Sequence, residues 1–159
     1  MLDKMLSFNG NYISKLQNYF KAMNKPLWSG SAKNGATLDL PELYNYDVIS
    51  VQFELQGTTI VLNRYPNSGV FRGSATATYE GNNCWQYINL QDKTGNNKFV
   101  LETYYNQLTT SGYKVNNVNY GITSIVGVVP TPKKFGLGGY CVVSLIRYLL
   151  QERRWCYAR

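Results

Sequence analysis

The chain contains no histidine. That removes at once the usual general base, the partner that orients a catalytic serine or cysteine, and the commonest metal ligand. Its three cysteines, Cys84, Cys141 and Cys156, are too few for a disulfide framework and fall in no zinc-binding pattern. They read as small apolar residues, with a Cys141–Cys156 bridge left open. Charge is sparse, at 16% of residues. No apolar run reaches the ~18 residues that a membrane span needs, since the longest stretch, Tyr140–Leu150, contains Arg147. The first residues, MLDKMLSFNGNY, hold neither a continuous apolar core nor a small-residue cleavage site, so no secretory signal is expected. These absences predict a protein made in a cytoplasm, with no membrane span, no metal and no cofactor, and they argue against an enzyme.

What is present suits a folded domain. A length of 159 residues, 44% of them apolar, is enough for one core plus an appendage. The net charge of +7 is unevenly spread. Residues 1–127 carry ten Lys and Arg against eight Asp and Glu, a net of +2; residues 128–159 carry six against one, a net of +5. A nucleic-acid-binding domain spreads cations over a face of its body. Here only the tail has them, so nucleic acid is an unfavoured partner.

Three zones follow from the patterning. In residues 1–26, Leu2, Leu6, Asn9, Ile13, Leu16, Phe20, Met23 and Leu27 recur at alternating gaps of four and three, the rhythm of a coiled-coil seam. Asn9-Gly10 marks an expected break and Pro26 an expected stop, so the spacing predicts a helix over about 11–24. It is either an amphipathic helix lying on its own domain or the end of an oligomeric stalk. In the second case Leu6, Ile13, Leu16, Phe20, Met23 and Leu27 form the interface of a homo-oligomer, with a trimer favoured.

Residues 27–128 form the β domain, and from Gly35 the period becomes two. DVISVQFEL puts Ile49, Val51, Phe53 and Leu55 on one face; WQYINL sets Trp85, Tyr87 and Asn89 against Gln86, Ile88 and Leu90. KFVLETYY sets Phe99, Leu101, Thr103 and Tyr105 against Lys98, Val100, Glu102 and Tyr104. Turn clusters (YPNSG, EGNN, KTGNN) separate such runs, which predicts seven or eight strands in a mostly β, antiparallel sandwich or barrel-like domain. Residues 129–159 form a basic extension, with Val142, Leu145, Ile146, Leu149 and Leu150 spaced for a short helix, although a buried strand is equally compatible.

The chemistry on offer is polar and aromatic. Fourteen Tyr and 17 Asn cluster in turns such as NRYPNSG, YEGNN and ETYYNQ. A tyrosine offers a flat face with a hydroxyl tip, and an asparagine both donates and accepts, which suits reversible recognition of a sugar. Tyr65, Asn67, Asn82, Asn83, Tyr104 and Tyr105 are therefore the candidate ligand-binding residues. Against this stands plain compositional bias, because both types also favour turns and strands. Asp39, Glu42, Asp47, Glu80 and Asp92 leave a two-carboxylate, polysaccharide-degrading mechanism as an alternative. A basic-tailed protein binding nucleic acid or the inside of a capsid is another.

Three stretches carry a resemblance. LWSGSAKNGATLDLPELYNYDVISVQF (27–53), VFRGSATATYE (70–80) and VNNVNYGITSIVGV (115–128) resemble a small β domain of bacteriophage virion proteins, found at the ends of tail, neck or head-fibre chains. The resemblance covers roughly residues 27–128. It implies a β-sandwich-like knob that decorates or tips an appendage of the virion, often oligomeric and not catalytic; together with the polar, aromatic turns this gives attachment to a host cell-surface glycan or to other virion proteins as the expected role. It brings no shared binding residues.

Overall fold

The computed structural model describes residues 2–79, 81–109, 112–115 and 120–136. The apolar stripe expected at 142–150 lies outside these residues, as do Cys141, Cys156 and most of the basic extension. The chain divides into two compact units, residues 23–129 and residues 1–22 with 130–159.

In the second of these units, helix α1 spans Leu2–Ala22 without a break at Asn9-Gly10. Glycine costs a helix about 1 kcal/mol but keeps its N–H donor, so the hydrogen-bond ladder can run through it. The helix also stops earlier than Pro26 requires. Asn24 takes a left-handed conformation (φ 56°), which asparagine tolerates just past a helix end. Leu16 and Tyr19 are buried, whereas Ile13 (53%) and Phe20 (44%) are exposed. The side chain of Leu6 lies outside the described ones. A 3-10 turn, Pro132–Phe135, is closed by Gly136 at φ 66°.

The larger unit is mostly β, an antiparallel sheet curled into a half-barrel. Its strands among the described residues are β1 (Lys25–Ala32), β2 (Thr37–Asp39), β3 (Tyr46–Phe53), β4 (Thr59–Arg64), β5 (Val70–Tyr79), β6 (Asn82–Asp92), β7 (Lys98–Thr109), β8 (Gly112–Val115) and β9 (Ile122–Pro130). The order across the sheet is β1-β9-β3-β4-β5-β6-β7-β2, and β8 also pairs with β7. Of the two architectures expected, the barrel-like one fits. Pro26 does not end a helix but sits in β1, opposite Val126. A residue without an N–H is tolerated there because β1 is an edge strand. The segment 26–31 is therefore part of the sheet.

The core fills the inside of the curl. Ile49, Val51 and Phe53 of β3, Ile60 and Leu62 of β4, Phe71 of β5, Ile88 and Leu90 of β6, Phe99 and Leu101 of β7, and Ile122 and Ile125 of β9 are all at 0% exposure. Each follows the period-two alternation of its strand, except that β9 shifts register between its two members. Leu55 leaves the pattern because β3 ends at Phe53 and a 3-10 turn follows.

Glycine permits the close approach of β4 to β5. β4 and β5 pair only at Asn63↔Arg72 and Arg64↔Phe71, after which β5 runs with β6 through ten pairs from Val70↔Gln91 to Tyr79↔Asn82. A Cβ on Gly73 would lie 2.1 Å from the Val61 carbonyl oxygen and 2.7 Å from Leu62 Cδ2. Only a residue without a side chain lets β4 cross so close over β5.

Candidate functional site on the outer face of the central strands

The cross-strand pairing sorts the side chains of β5, β6 and β7 into rows. On the outer face Arg72 pairs with Asn89 and Asn89 with Glu102; Ser74 with Tyr87 and Tyr87 with Tyr104; Thr76 with Trp85 and Trp85 with Asn106. Successive rows lie two residues apart, about 6.8 Å along the strands. The strips continue without interruption because all three strands are paired over this length.

The two upper rows make an aromatic platform. Trp85 and Tyr87 stack with centroids 5.7 Å apart and planes 23° from parallel. Tyr87 meets Tyr104 across the strands at 5.7 Å and 48°. Trp85 is 40% and Tyr104 49% exposed, so a ring system half open to solvent spans two strands. Beside it lies a cleft of about 500 Å³ lined by Thr76, Asn83, Cys84, Trp85, Asn106 and Leu108. Amides and a hydroxyl therefore border an indole face, a combination able to stack on an apolar ring while exchanging hydrogen bonds with its substituents.

The next row is polar and braced. Arg72 Nε donates to Asn89 Oδ1 at 3.1 Å, and Asn89 Nδ2 donates to Glu102 Oε2 at 2.8 Å. Lys93 Nζ stands 3.9 Å from Glu102 Oε1. The Arg72 guanidinium also lies over the Tyr65 ring, 5.5 Å from its centroid. Asn89 is buried (2%) as the bridge of this row, although it sits on the outward-facing register of β6.

The inner face of the same strands is different in kind. Cys84, free and buried, lies with its sulfur 2.9 Å from the Tyr105 hydroxyl. Tyr105 packs edge-on against Tyr120 at 5.3 Å. The Thr103 hydroxyl donates to the Tyr120 carbonyl at 2.7 Å. Gln86 is fully buried, and among the described residues no protein group hydrogen-bonds its side-chain amide.

The expected ligand residues fall into three groups. Asn83 and Tyr104 share the outer face with the platform. Tyr65 is exposed (59%) at the β4–β5 turn and joins the same face through Arg72. Asn67 serves the turn itself: it follows Pro66 with φ 55°, and Ser68 N–H closes the turn on the Tyr65 carbonyl at 3.2 Å. Asn82 begins β6 opposite Tyr79. Tyr105 is corrected outright: adjacent strand residues point to opposite faces, and Tyr105 is 3% exposed inside the curl, so it cannot share a ligand surface with Tyr104. Sequence reasoning missed Trp85, Tyr87, Asn106 and Arg72. A usable signal existed for the first two, since bulky aromatics stood on the face opposite Ile88 and Leu90.

Among the described residues most carboxylates serve structural contacts, and Asp39 and Glu42 both line one small cleft. Glu42 is taken by Lys25 Nζ at 2.6 Å, and Asp47 stands 4.0 Å from Arg64 Nη1. Asp92 folds the β6–β7 loop. Its Oδ1 accepts from Thr94 N–H (3.0 Å) and Gly95 N–H (2.8 Å), and its Oδ2 from Asn97 N–H (2.8 Å) and the Tyr44 hydroxyl (3.0 Å). Partial burial opposes its ionisation, but these hydrogen bonds outweigh that and hold the carboxyl below its ordinary range. Glu54 likewise sits low, held by Lys33 and by the Gly121 N–H. Asp39 is exposed in β2, and Glu80 lies outside the described residues.

Comparison with known proteins finds no family model, no curated protein and no solved structure that matches this chain.

Proposed function

We propose that this chain is a non-catalytic recognition domain of a bacteriophage virion appendage, which binds host-surface glycan along the outer face of β5, β6 and β7. The observation that carries the glycan part is the exposed Trp85–Tyr87–Tyr104 platform beside a cleft bordered by Asn83 and Asn106. Sugar rings present apolar faces and equatorial hydroxyls, and this surface supplies a partner for each. The virion part rests on the three sequence stretches that resemble phage β domains. An oligomer is supported by the heptad spacing of α1 together with the exposure of Ile13 and Phe20. Several weak sites in one particle then act together through effective concentration.

A glycan array followed by titration of Trp85→Ala and Tyr104→Ala tests the proposal. Losing a stacking aromatic should cost about 1–3 kcal/mol, roughly 5- to 150-fold in affinity. An array on which the wild-type protein binds nothing, or variants that bind as the wild type does, would refute it.

A further inference from the structure

The polar row next to the platform narrows the ligand class. Arg72 is an exposed cation whose direction is set from two sides, by the hydrogen bond from its Nε to Asn89 and by the Tyr65 ring beneath its guanidinium. Asn89 is itself fixed by its bond to Glu102. The brace uses the inner nitrogen of the guanidinium only. Among the described residues neither terminal nitrogen of Arg72 has a hydrogen-bond partner. Glu102, the one acid of this row, is already engaged by Asn89 and by Lys93. What remains open is the pair of terminal nitrogens, on the row next to that of Tyr87 and Tyr104, rows being about 6.8 Å apart along the backbone.

We propose that the ligand is an acidic polysaccharide, a chain of uronate-type sugars whose carboxylate is received by the two terminal nitrogens of Arg72. This rests on the glycan reading above. A planar carboxylate matches the guanidinium fork in a way that a hydroxyl does not. From the row of Asn83 to the row of Asn89 is six residues of β6, about 20 Å. An extended oligosaccharide therefore lies along the strands, rings over Trp85, Tyr87 and Tyr104, carboxylate over Arg72. Restricting the charge contact to one end leaves the platform to hold the rings and Arg72 to select among them.

The test uses the full chain and a panel of polyuronates (polyglucuronate, polygalacturonate, polymannuronate), each beside its carboxyl-reduced neutral counterpart. At least one polyuronate should bind roughly tenfold or more tightly than its reduced form. Arg72→Gln should erase that difference, and Arg72→Lys should restore only part of it. Melting temperatures of both variants report whether the brace to Asn89 survives. Equal binding of acidic and reduced chains, each lost in Trp85→Ala, would overturn the acidic class and leave the glycan reading intact. Binding of neither form of any polyuronate would overturn the acidic class, and the glycan array then decides the glycan reading separately. A preference for the acidic chain that persists in Arg72→Gln would place the anion elsewhere and overturn the role of Arg72.

Discussion

Gly73→Ala is the sharpest test of how the half-barrel is made. The added Cβ would stand 2.1 Å from the Val61 carbonyl oxygen and 3.0 Å from the Val61 carbonyl carbon. Carbon and carbonyl oxygen normally approach to about 3.3 Å at closest, so β4 must retreat by roughly 1 Å. Overpacking costs about 1–3 kcal/mol when side chains can shift out of the way. Here the obstacle is backbone, and moving it drags Ile60 and Leu62, both fully buried, out of the core. We expect a loss of about 3 kcal/mol, a large part of the roughly 5–15 kcal/mol that a domain has. With a urea m value of about 1–3 kcal/mol per M, the unfolding midpoint should fall by about 1–3 M. Tryptophan fluorescence during urea titration reads this directly. Leu62→Ala should not rescue the variant, because the closest atom belongs to Val61 and not to the Leu62 side chain. As a control, Gly81→Ala meets no atom within 4 Å and pays only for its φ of 76°, about 1–2 kcal/mol. A Gly73→Ala midpoint unchanged from wild type, or a full rescue by Leu62→Ala, would show that the curl does not depend on this crossing.

Four further outcomes are expected. Asp92→Ala should cost about 1–3 kcal/mol at neutral pH, and the gap to wild type should close as pH falls below about 4. The sign follows from a folded-state carboxyl held low, whose stabilisation exists above the unfolded pKa and disappears as pH drops through the folded one; a gap that stays constant in urea titrations at pH 7 and pH 3 would contradict it. Tyr105→Phe should lower stability by about 0.5–1.5 kcal/mol through loss of its bond to Cys84, with glycan binding untouched; a binding defect in this variant would place the ligand inside the curl. Gln86→Met should raise the melting temperature, since an amide buried without a protein partner costs about 1–3 kcal/mol; a lowered value would mean that the amide is satisfied by buried water. Ile13→Asp with Phe20→Asp should reduce the light-scattering mass of the particle while the β-sheet circular dichroism persists; an unchanged mass would remove α1 from the interface.

The sequence by itself determined the class of the fold and the two faces of its central strands. KFVLETYY assigns Phe99, Leu101, Thr103 and Tyr105 to one side, and the structure buries all four, because alternation is a property of a single extended strand and needs no partner. The turn between β4 and β5 was equally legible, since proline followed by asparagine specifies its own geometry. The tertiary structure decided everything that depends on which strand meets which. β1 lies beside β9, and β2 beside β7, pairings that close long loops and that no local pattern encodes. Gly10 looked like a break and is not one, whereas Gly73 stands where a side chain would collide with the backbone of β4. A helical glycine keeps its N–H donor and so need not break its segment, whereas one with a carbonyl 2.1 Å from its missing Cβ fixes how closely two strands approach. The candidate site divides along the same line. Tyr104 and Asn83 were visible as surface residues, but Tyr65, Arg72, Asn89 and Glu102 became one braced row only through the registers of three consecutive hairpins.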